Sequence, residues 1–122
     1  MTLSKKTVVL GASPNPIRFS YKAVKSLRRH EQEVVPVGFK KGAIAGIQLL
    51  SGMPPLENVH TVSLYIGAAR QEAYYDYILS LRPKRVIFNP GTENPDFMST
   101  LSQAGIETTN DCMLVMLNEG KY

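Results

Sequence analysis

The sequence predicts an α/β protein with a three-layer, Rossmann-like fold, in which helices flank a parallel sheet of about five strands. Short β-branched runs alternate along the chain with segments whose apolar residues recur every three or four positions, the pattern of repeated βαβ units. The first such run ends in Gly11, where a strand can turn tightly into a helix. The chain has 122 residues, so we expect a single domain over 1–122.

The first strand and helix are separated by a turn rich in proline. Thr7–Leu10 is a β-branched run that we expect to form a buried strand. Two prolines within Gly11–Pro16 prevent either regular structure from continuing. An amphipathic helix should follow, with Ser20 as its N-cap and His30 in its last turn. Its buried stripe is predicted to comprise Ile17, Tyr21, Val24 and Leu27.

The second strand precedes a long segment rich in glycine and proline. Glu33–Val37 predicts the strand, and Pro36 is expected at its carboxyl end because proline has no amide donor. Residues 38–58 contain only one short apolar piece, Ile47–Leu50. Loops of this length in compact domains are usually functional or ordered by what they cover.

Two further strands flank the clearest helix of the chain. Thr61–Ile66 predicts the third strand and Arg85–Phe88 the fourth. Between them, apolar side chains recur at helical spacing and predict a face directed at the core. That face comprises Ala73, Tyr74, Tyr77, Ile78 and Leu81.

The last third of the chain predicts a helix, a strand and one ambiguous segment. Asn94 is expected to cap a helix that begins at Pro95 and ends at Gly105. Its buried face should comprise Phe97, Met98, Leu101 and Ala104. Ile106–Thr109 predicts a fifth strand, whereas Cys112–Leu117 fits either a helix or an extended segment.

Charge and composition exclude several classes of protein. The net charge is +4, and the first 30 residues carry seven basic residues and no acid. Phe19 and Tyr21 lie between Arg18 and Lys22, but the bases as a group lack the aromatic interleaving that stacking platforms use, so we expect no nucleic-acid partner. The longest apolar run, Met113–Leu117, is far shorter than the roughly 20 residues that cross a bilayer. Thr2–Lys6 lacks the apolar core of a secretory signal and Cys112 is the only cysteine, so we expect a cytoplasmic protein without a membrane partner.

The turn after the first strand has the residue types that bind phosphate. In parallel sheets, ligands lie beyond the carboxyl ends of the strands, and the start of a helix offers unpaired amides to an anion. Gly11 permits close backbone approach, Ser13 and Asn15 add side-chain donors, and Arg18 adds charge. An NAD-binding fingerprint would need glycine at positions 13 and 16, which are Ser13 and Pro16 here, so NAD is disfavoured.

The other three turns suggest where the rest of such a ligand would lie. After the second strand, Gly38-Phe39-Lys40-Lys41 replaces the acidic residue that holds the ribose of NAD. Two lysines suit a ribose that carries a phosphate, as in NADP or coenzyme A, although they could also be solvated loop residues. Ile66 and Gly67 precede two alanines, where a slender pantetheine chain could lie, unless this is a simple helix start. Asn89-Pro90-Gly91 suits uncharged parts of a ligand, since acidic residues follow it.

Catalytic and metal-ligating groups do not form a recognisable pattern. His30 and His60 are the only histidines, and neither is paired with a nucleophile in the sequence. Cys112 has no cysteine partner for a metal, so we expect a small core residue, with a thiol near the reactive end of the ligand as the alternative. We therefore expect no catalytic and no metal site.

Five segments resemble the single-domain CoA-binding proteins of bacteria, which are similar to the CoA-binding domain of the succinyl-CoA synthetase α subunit. These segments are Val8–Pro16, Ser20-Tyr21, Glu33–Val37, Val86–Asn94, and Ala104–Ile106 leading to Asp111-Cys112. The resemblance implies that Gly11, Ala12, Ser13 and Asn15 meet the pyrophosphate and that Asn89–Gly91 line the same cleft. Two features depart from the family pattern: Gly38-Phe39 stands where its members commonly have Asn-Pro, and the phosphorylated histidine and further domains of the synthetase are missing. Ligase activity is therefore not implied.

Taken together, the sequence predicts a protein that binds coenzyme A or an acyl-CoA without catalysis of its own, as a sensor, carrier or partner subunit. An NADP-dependent oxidoreductase is the alternative, and both a homodimer and an unidentified partner protein stay open. The candidate site residues are Gly11, Ala12, Ser13, Asn15, Arg18, Ser20, Gly38, Phe39, Lys40, Lys41, Ile66, Gly67, Asn89, Pro90 and Gly91.

Overall fold

A computed structural model describes residues 4–122. The first three residues of the expected domain therefore lie outside the described part. They include Thr2 and Leu3 of the segment considered above as a possible secretory signal. The described residues form seven strands and five helices. The strands are β1 (Thr7–Ala12), β2 (Val34–Gly38), β3 (Ala43–Ile44), β4 (Ile47–Gln48), β5 (Thr61–Leu64), β6 (Arg85–Phe88) and β7 (Glu107–Asn110). The helices are α1 (Phe19–Arg29), α2 (Ala68–Gln71), α3 (Tyr75–Leu81), α4 (Pro95–Gln103) and α5 (Met113–Asn118), with a 3₁₀ turn (Glu72–Tyr74) between α2 and α3.

Five strands form one parallel sheet that is covered on both faces. Their spatial order is β2-β1-β5-β6-β7, while β3 and β4 pair as a separate antiparallel hairpin. Val9 packs with residues of α1 and α5, whereas its neighbours Val8 and Leu10 pack with residues of α3 and α4. Successive strand residues point to opposite faces, so Val8, Val9 and Leu10 place apolar side chains on both faces of β1. The three-layer, Rossmann-like α/β fold predicted from the sequence is confirmed.

The order of the strands creates a switch point between β1 and β5. The chain leaves β1 to form β2 on one side and then returns to the other side of β1 as β5. The turns that follow β1 and β5 therefore diverge onto opposite faces of the sheet and leave a crevice at its carboxyl edge. This crevice is the place where ligands bind in open parallel sheets.

The first helix begins differently from the prediction. Arg18, and not Ser20, is the N-cap, and Ser20 is a buried residue of the first turn. A turn closed by the bond from Arg18 N to Asn15 O (3.1 Å) precedes the helix and leaves Ile17 77% exposed, so the prediction that Ile17 is buried is wrong. Val24 and Leu27 are buried as predicted, and Tyr21 is half-buried.

Pro36 lies in the middle of β2, and its predicted place at the carboxyl end is wrong. β2 is an edge strand, and Leu50 N donates to Pro36 O at 2.9 Å on the side away from β1. The N–H and C=O of a strand residue point to the same side, so the missing donor of Pro36 faces outward, where the sheet does not need it. Residues 38–58 contain the β3–β4 hairpin, and Ile44 and Leu49 are buried in the same cluster as α1.

The remaining helices differ from the prediction at a few positions. The helix expected over residues 73–81 is split, and Ala73 is exposed because the 3₁₀ turn, with its shorter period, rotates it out of the apolar stripe. Ala104 is also exposed, because it is the C-cap beyond the last residue of α4. The ambiguous last segment is helix α5, with half-buried Cys112 as its N-cap. No helix within residues 4–122 is long and apolar enough to span a bilayer.

Candidate functional site

A cleft of about 530 Å³ opens at the carboxyl ends of β1 and β5, at the switch point. Each of the four turns identified in the sequence contributes to its wall. Twelve of the fifteen candidate residues line it: Gly11, Ala12, Ser13, Asn15, Arg18, Ser20, Phe39, Lys40, Ile66, Gly67, Pro90 and Gly91. The structure thus brings together residues that are up to 80 positions apart in the chain.

Three candidate residues lie outside the lining of the cleft. Gly38 is packed so closely that a Cβ atom there would lie 2.0 Å from Ala12 O. Lys41 is exposed beyond the cleft. Asn89 is buried behind the wall, where its Nδ2 donates to Ser63 Oγ (2.8 Å) and Leu64 O, and its Oδ1 accepts from the amide of Met113. The side chain of Asn89 therefore joins β5, β6 and α5 instead of pointing into the cleft.

Four lining residues were not identified from the sequence. Phe19, Tyr65, Arg70 and Thr92 complete the wall. Each lies within a few residues of one of the predicted turns. For Arg70, the available signal was a basic residue in the short helix that follows Gly67. The contact that places Arg70 at the cleft joins two distant segments, so the local sequence does not reveal it.

Gly11 brings the first turn next to the residues that follow β5. Its φ of +96° lies in a region that L side chains rarely adopt, and a Cβ there would be 2.8 Å from Ile66 Cγ2. The register between β1 and β2 shifts between Leu10 and Ala12, around this residue. Glycine is therefore required here, both for the backbone conformation and for the close approach.

Side-chain oxygens hold the first turn in one conformation. Ser13 Oγ accepts from the amide of Asn15 (3.1 Å), and Asn15 Oδ1 accepts from the amide of Ile17 (3.2 Å). Ser20 Oγ accepts from the amide of Ser13 at 3.2 Å. The Ser13 hydroxyl proton and the side-chain nitrogen of Asn15, Nδ2, have no bond to any of residues 4–122, so they can donate to a ligand.

The start of α1 supplies further hydrogen-bond donors and the positive end of the helix dipole. No side chain of the described residues caps the helix, and its first turn has no acidic residue. The first amides of a helix lack partners within it and lie at the positive end of its dipole. Arg18, Lys40 and Arg70 add three positive charges to the wall, and no carboxylate from the described part of the chain lines it. The cleft is therefore suited to an anion.

An aromatic residue and an arginine meet at the wall of the cleft. The guanidinium carbon of Arg70 lies 4.5 Å from the centroid of the Phe39 ring. The rings of Tyr74 and Phe39 form a T-shaped pair, with centroids 6.4 Å apart and an angle of 67° between the planes. Phe39 follows β2 and Arg70 belongs to α2, so this contact joins two walls of the cleft.

The buried side chain of Gln71 fixes the loops on the far side of the cleft. Its Nε2 donates to Ile66 O (3.0 Å) and Thr92 O (2.7 Å). Its Oε1 accepts from Asn94 Nδ2, which also donates to the hydroxyl oxygen of Tyr75. These bonds hold the turn after β5 and the turn after β6 at a fixed separation.

Tyr65 lines the cleft, but its hydroxyl group is buried. The oxygen makes no hydrogen bond with the residues that the structure describes. Burial raises the pKa of Tyr65 above its ordinary value, so the hydroxyl is neutral throughout the physiological range of pH.

A second hollow, of about 900 Å³, lies at the opposite end of the sheet. Lys5, Lys6, Arg82 and Lys84 contribute to its wall, and none of the fifteen candidate residues does. Ligand sites of parallel sheets lie at the carboxyl ends of the strands, so the cleft at β1 and β5 is the better candidate.

Comparison with known proteins gives a family and several structural relatives. A family model described as a CoA binding domain matches residues 5–118. No curated protein matches the chain at a significant level. An uncharacterised protein of known crystal structure is 48% identical, with a TM-score of 0.96 over 99% of this chain and 100% of that one. A hypothetical protein from Pyrococcus horikoshii OT3 is 25% identical (TM-score 0.85, 95% of this chain, 83% of that one), and a protein from Thermus thermophilus is 24% identical (TM-score 0.85, 98% and 91%).

Proposed function

Because the chain belongs to the CoA-binding domain family, we propose that it binds coenzyme A or an acyl-CoA in the cleft at the carboxyl ends of β1 and β5. The observation that carries this proposal is the positively charged wall of that cleft, to which Arg18, Lys40 and Arg70 contribute with no opposing carboxylate from residues 4–122. Coenzyme A is a polyanion with a slender, uncharged pantetheine arm, which matches the distribution of charged and small residues around the cleft.

The diphosphate would lie against the first turn and the start of α1. There the unpaired amides of the helix, the Asn15 side chain and Arg18 provide donors and charge. The adenosine end would point towards Phe39 and Lys40. The pantetheine arm would pass between Ile66-Gly67 and Pro90-Gly91, which offer no charged side chain.

We propose a role in binding alone, as a sensor, carrier or partner subunit formed by a single cytoplasmic domain. Neither histidine lines the cleft: His30 is the C-cap of α1, and His60 lies at the opposite end of the sheet. Cys112 also lies outside its lining. No histidine, cysteine, aspartate or glutamate of the described residues therefore lines the cleft.

Ligand-dependent thermal unfolding of the full chain tests this function. A ligand that binds only the folded state stabilises it by about 2.7 kcal/mol at a concentration 100 times its Kd. We expect coenzyme A to raise Tm, and AMP to raise it less because AMP lacks the diphosphate and pantetheine. A Tm increase with NADPH but none with coenzyme A would favour the NADP-dependent alternative, and no increase with either would contradict the proposed function.

Replacing Arg18 tests the placement of the diphosphate. Arg18→Gln should weaken coenzyme A by about tenfold or more, because a hydrogen bond to a charged group contributes roughly 1.5–3 kcal/mol. Lys25→Gln is the matched control, since Lys25 is an exposed basic residue of α1 outside the lining of the cleft. Isothermal titration calorimetry measures both, and equal affinities for the two variants would contradict this placement.

A further inference from the structure

The positive charges of the cleft belong to two separate parts of its wall. Arg18 adjoins the first turn, after β1. Lys40 follows β2 and is adjacent in sequence to Phe39, and the guanidinium of Arg70 of α2 lies over the ring of Phe39. Lys41, the second lysine expected at this place from the sequence, does not line the cleft. The second group of charges is therefore Lys40 with Arg70.

The guanidinium of Arg70 contacts an aromatic ring, but its N–H groups have no hydrogen-bond partner among the described residues. Its carbon lies over the ring of Phe39, 4.5 Å from the ring centroid. It forms no ion pair and no side-chain hydrogen bond with any of the described residues. An aromatic ring satisfies none of the N–H groups of a guanidinium as a hydrogen-bond acceptor would, and the fork of those groups matches two oxygens of a phosphate.

Phe39 is placed to orient Arg70 and contributes little to the core. It is 56% exposed, which is unusual for a phenylalanine. Its aromatic and cationic contacts are a T-shaped pair with the ring of Tyr74 and the guanidinium of Arg70, which lies over its ring. An exposed cation–π contact has a modest energy, but it restricts a long side chain that would otherwise sample many rotamers.

From this geometry we propose that Arg70 and Lys40 bind a second phosphate group, the 3′-phosphate on the ribose of coenzyme A, and that Phe39 is the positioning residue of Arg70. The inference rests on the proposed binding of coenzyme A in this cleft. It defines the ligand class as an adenosine diphosphate derivative with an additional ribose phosphate. Coenzyme A has phosphates at two places, the diphosphate and the ribose, and the cleft has cations on two parts of its wall.

Titration of the full chain with coenzyme A and with dephospho-CoA tests the role of Arg70. The wild-type chain should bind coenzyme A about tenfold or more tightly than dephospho-CoA. Arg70→Gln should remove most of that difference by weakening coenzyme A while leaving dephospho-CoA unchanged. Lys41→Gln is the matched control and should leave both affinities unchanged. Arg18→Gln should weaken both ligands by the same factor, since both contain the diphosphate.

A double-mutant cycle tests the positioning role of Phe39. Phe39→Leu should reduce the ratio of the two affinities by about threefold when Arg70 is present, in line with the energy of an exposed cation–π contact. In the Arg70→Gln background the same substitution should leave the ratio unchanged. If Phe39→Leu still reduced the ratio of the two affinities in the Arg70→Gln background, Phe39 would contact the ligand directly, and its positioning role would be overturned.

The outcomes separate this inference from the function on which it rests. If the wild-type chain binds coenzyme A and dephospho-CoA equally, or if Arg70→Gln weakens both by the same factor, the assignment of Arg70 is wrong and coenzyme A binding stands. If the wild-type chain binds neither ligand, the proposed function fails together with the inference. Circular dichroism of each variant verifies that the fold is retained.

Discussion

Gly11 shows how a single residue determines the shape of the cleft. Its positive φ turns the chain out of β1, and the absence of a side chain lets the turn pass against Ile66. Gly105, at the end of α4, also has a positive φ (+79°), but a Cβ there would meet no atom within 4 Å. Alanine substitutions at the two positions therefore distinguish two costs: Gly105→Ala has only that of the backbone conformation, and Gly11→Ala has in addition that of the close contact.

Gly11→Ala should destabilise the protein by more than Gly105→Ala. The backbone conformation alone costs about 1–2 kcal/mol for an alanine, and overpacking in a crowded place typically adds about 1–3 kcal/mol. Urea unfolding measures both variants against the wild type. Equal midpoints for the two variants would contradict the close contact with Ile66.

Several single residues of the cleft could be predicted from sequence, and others could not. Gly11, Ser13 and Arg18 follow directly from the rule that the first strand-to-helix turn faces the ligand. Asn89 has the same kind of position but lies behind the wall, because its amide bonds to β5 and α5. Arg70 reaches the cleft through its contact with Phe39, which is 31 positions earlier in the chain. Such contacts depend on how the elements pack, and local spacing carries no information about them.

At the level of whole elements, helix starts were predictable where a side chain caps them. Asn94 caps α4 as expected, since its Oδ1 accepts from the amide of Phe97 at 3.1 Å and Pro95 follows it. Ser20 is an equally good capping residue by type, but the turn between Asn15 and Arg18 already starts the helix two residues earlier. The competing turn depends on Asn15, whose side-chain oxygen Oδ1 accepts a hydrogen bond from the amide of Ile17.

Gln71 tests how strongly two loops depend on one side chain. Gln71→Leu should lower the free energy of unfolding by about 1–3 kcal/mol, because Ile66 O and Thr92 O lose their buried donor. The amides of residues 89–94 should also exchange hydrogen faster. Gln103→Leu on the exposed side of α4 is the control and should change stability by less than about 0.5 kcal/mol. Equal losses for both variants would contradict the role of Gln71.

At the level of the whole molecule, the alternation of strands and helices was sufficient to predict the three layers. The spatial order of the strands was not predictable in the same way. Once β2 had paired with β1, β5 could pair either with the free edge of β1 or with the free edge of β2. The segment between β2 and β5 contributes Ile44 and Leu49 to the core on the side of α1, and the chain then returns to pair with β1. The sequence indicated a long loop there and gave no sign of the hairpin within it.

Charge at the far end of the sheet predicts a dependence of stability on pH. Burial lowers the pKa of His60 below 6.5, and the positive charges of Arg85, Lys5 and Lys84 lower it further, against a smaller opposing effect of Glu107. The unfolded chain therefore binds a proton at this residue more readily than the folded chain. The contribution to stability is complete above pH 6.5 and is lost as pH falls below that value through the folded pKa.

His60→Gln should reduce this dependence on pH. Urea titrations at about pH 7.5 and about pH 5.5 measure the free energy of unfolding at both values. We expect this free energy to fall less for the variant than for the wild type between the two. Both pH values lie above the ordinary pKa of most carboxylates. Glutamine keeps a polar group beside Thr61 Oγ1, to which His60 Nδ1 is hydrogen-bonded at 2.7 Å. An unchanged difference between the two pH values would show that His60 does not carry the effect.

The position of Pro36 has a consequence for how these molecules behave at high concentration. An uncovered strand at the border of a sheet can recruit a strand from another molecule, which is a common start of aggregation. The outer side of β2 has no amide at Pro36, and its next outward amide, at Gly38, is already bonded to Leu50 O. This border of the sheet is therefore less suited to intermolecular strand addition than the β7 border, which begins at Glu107.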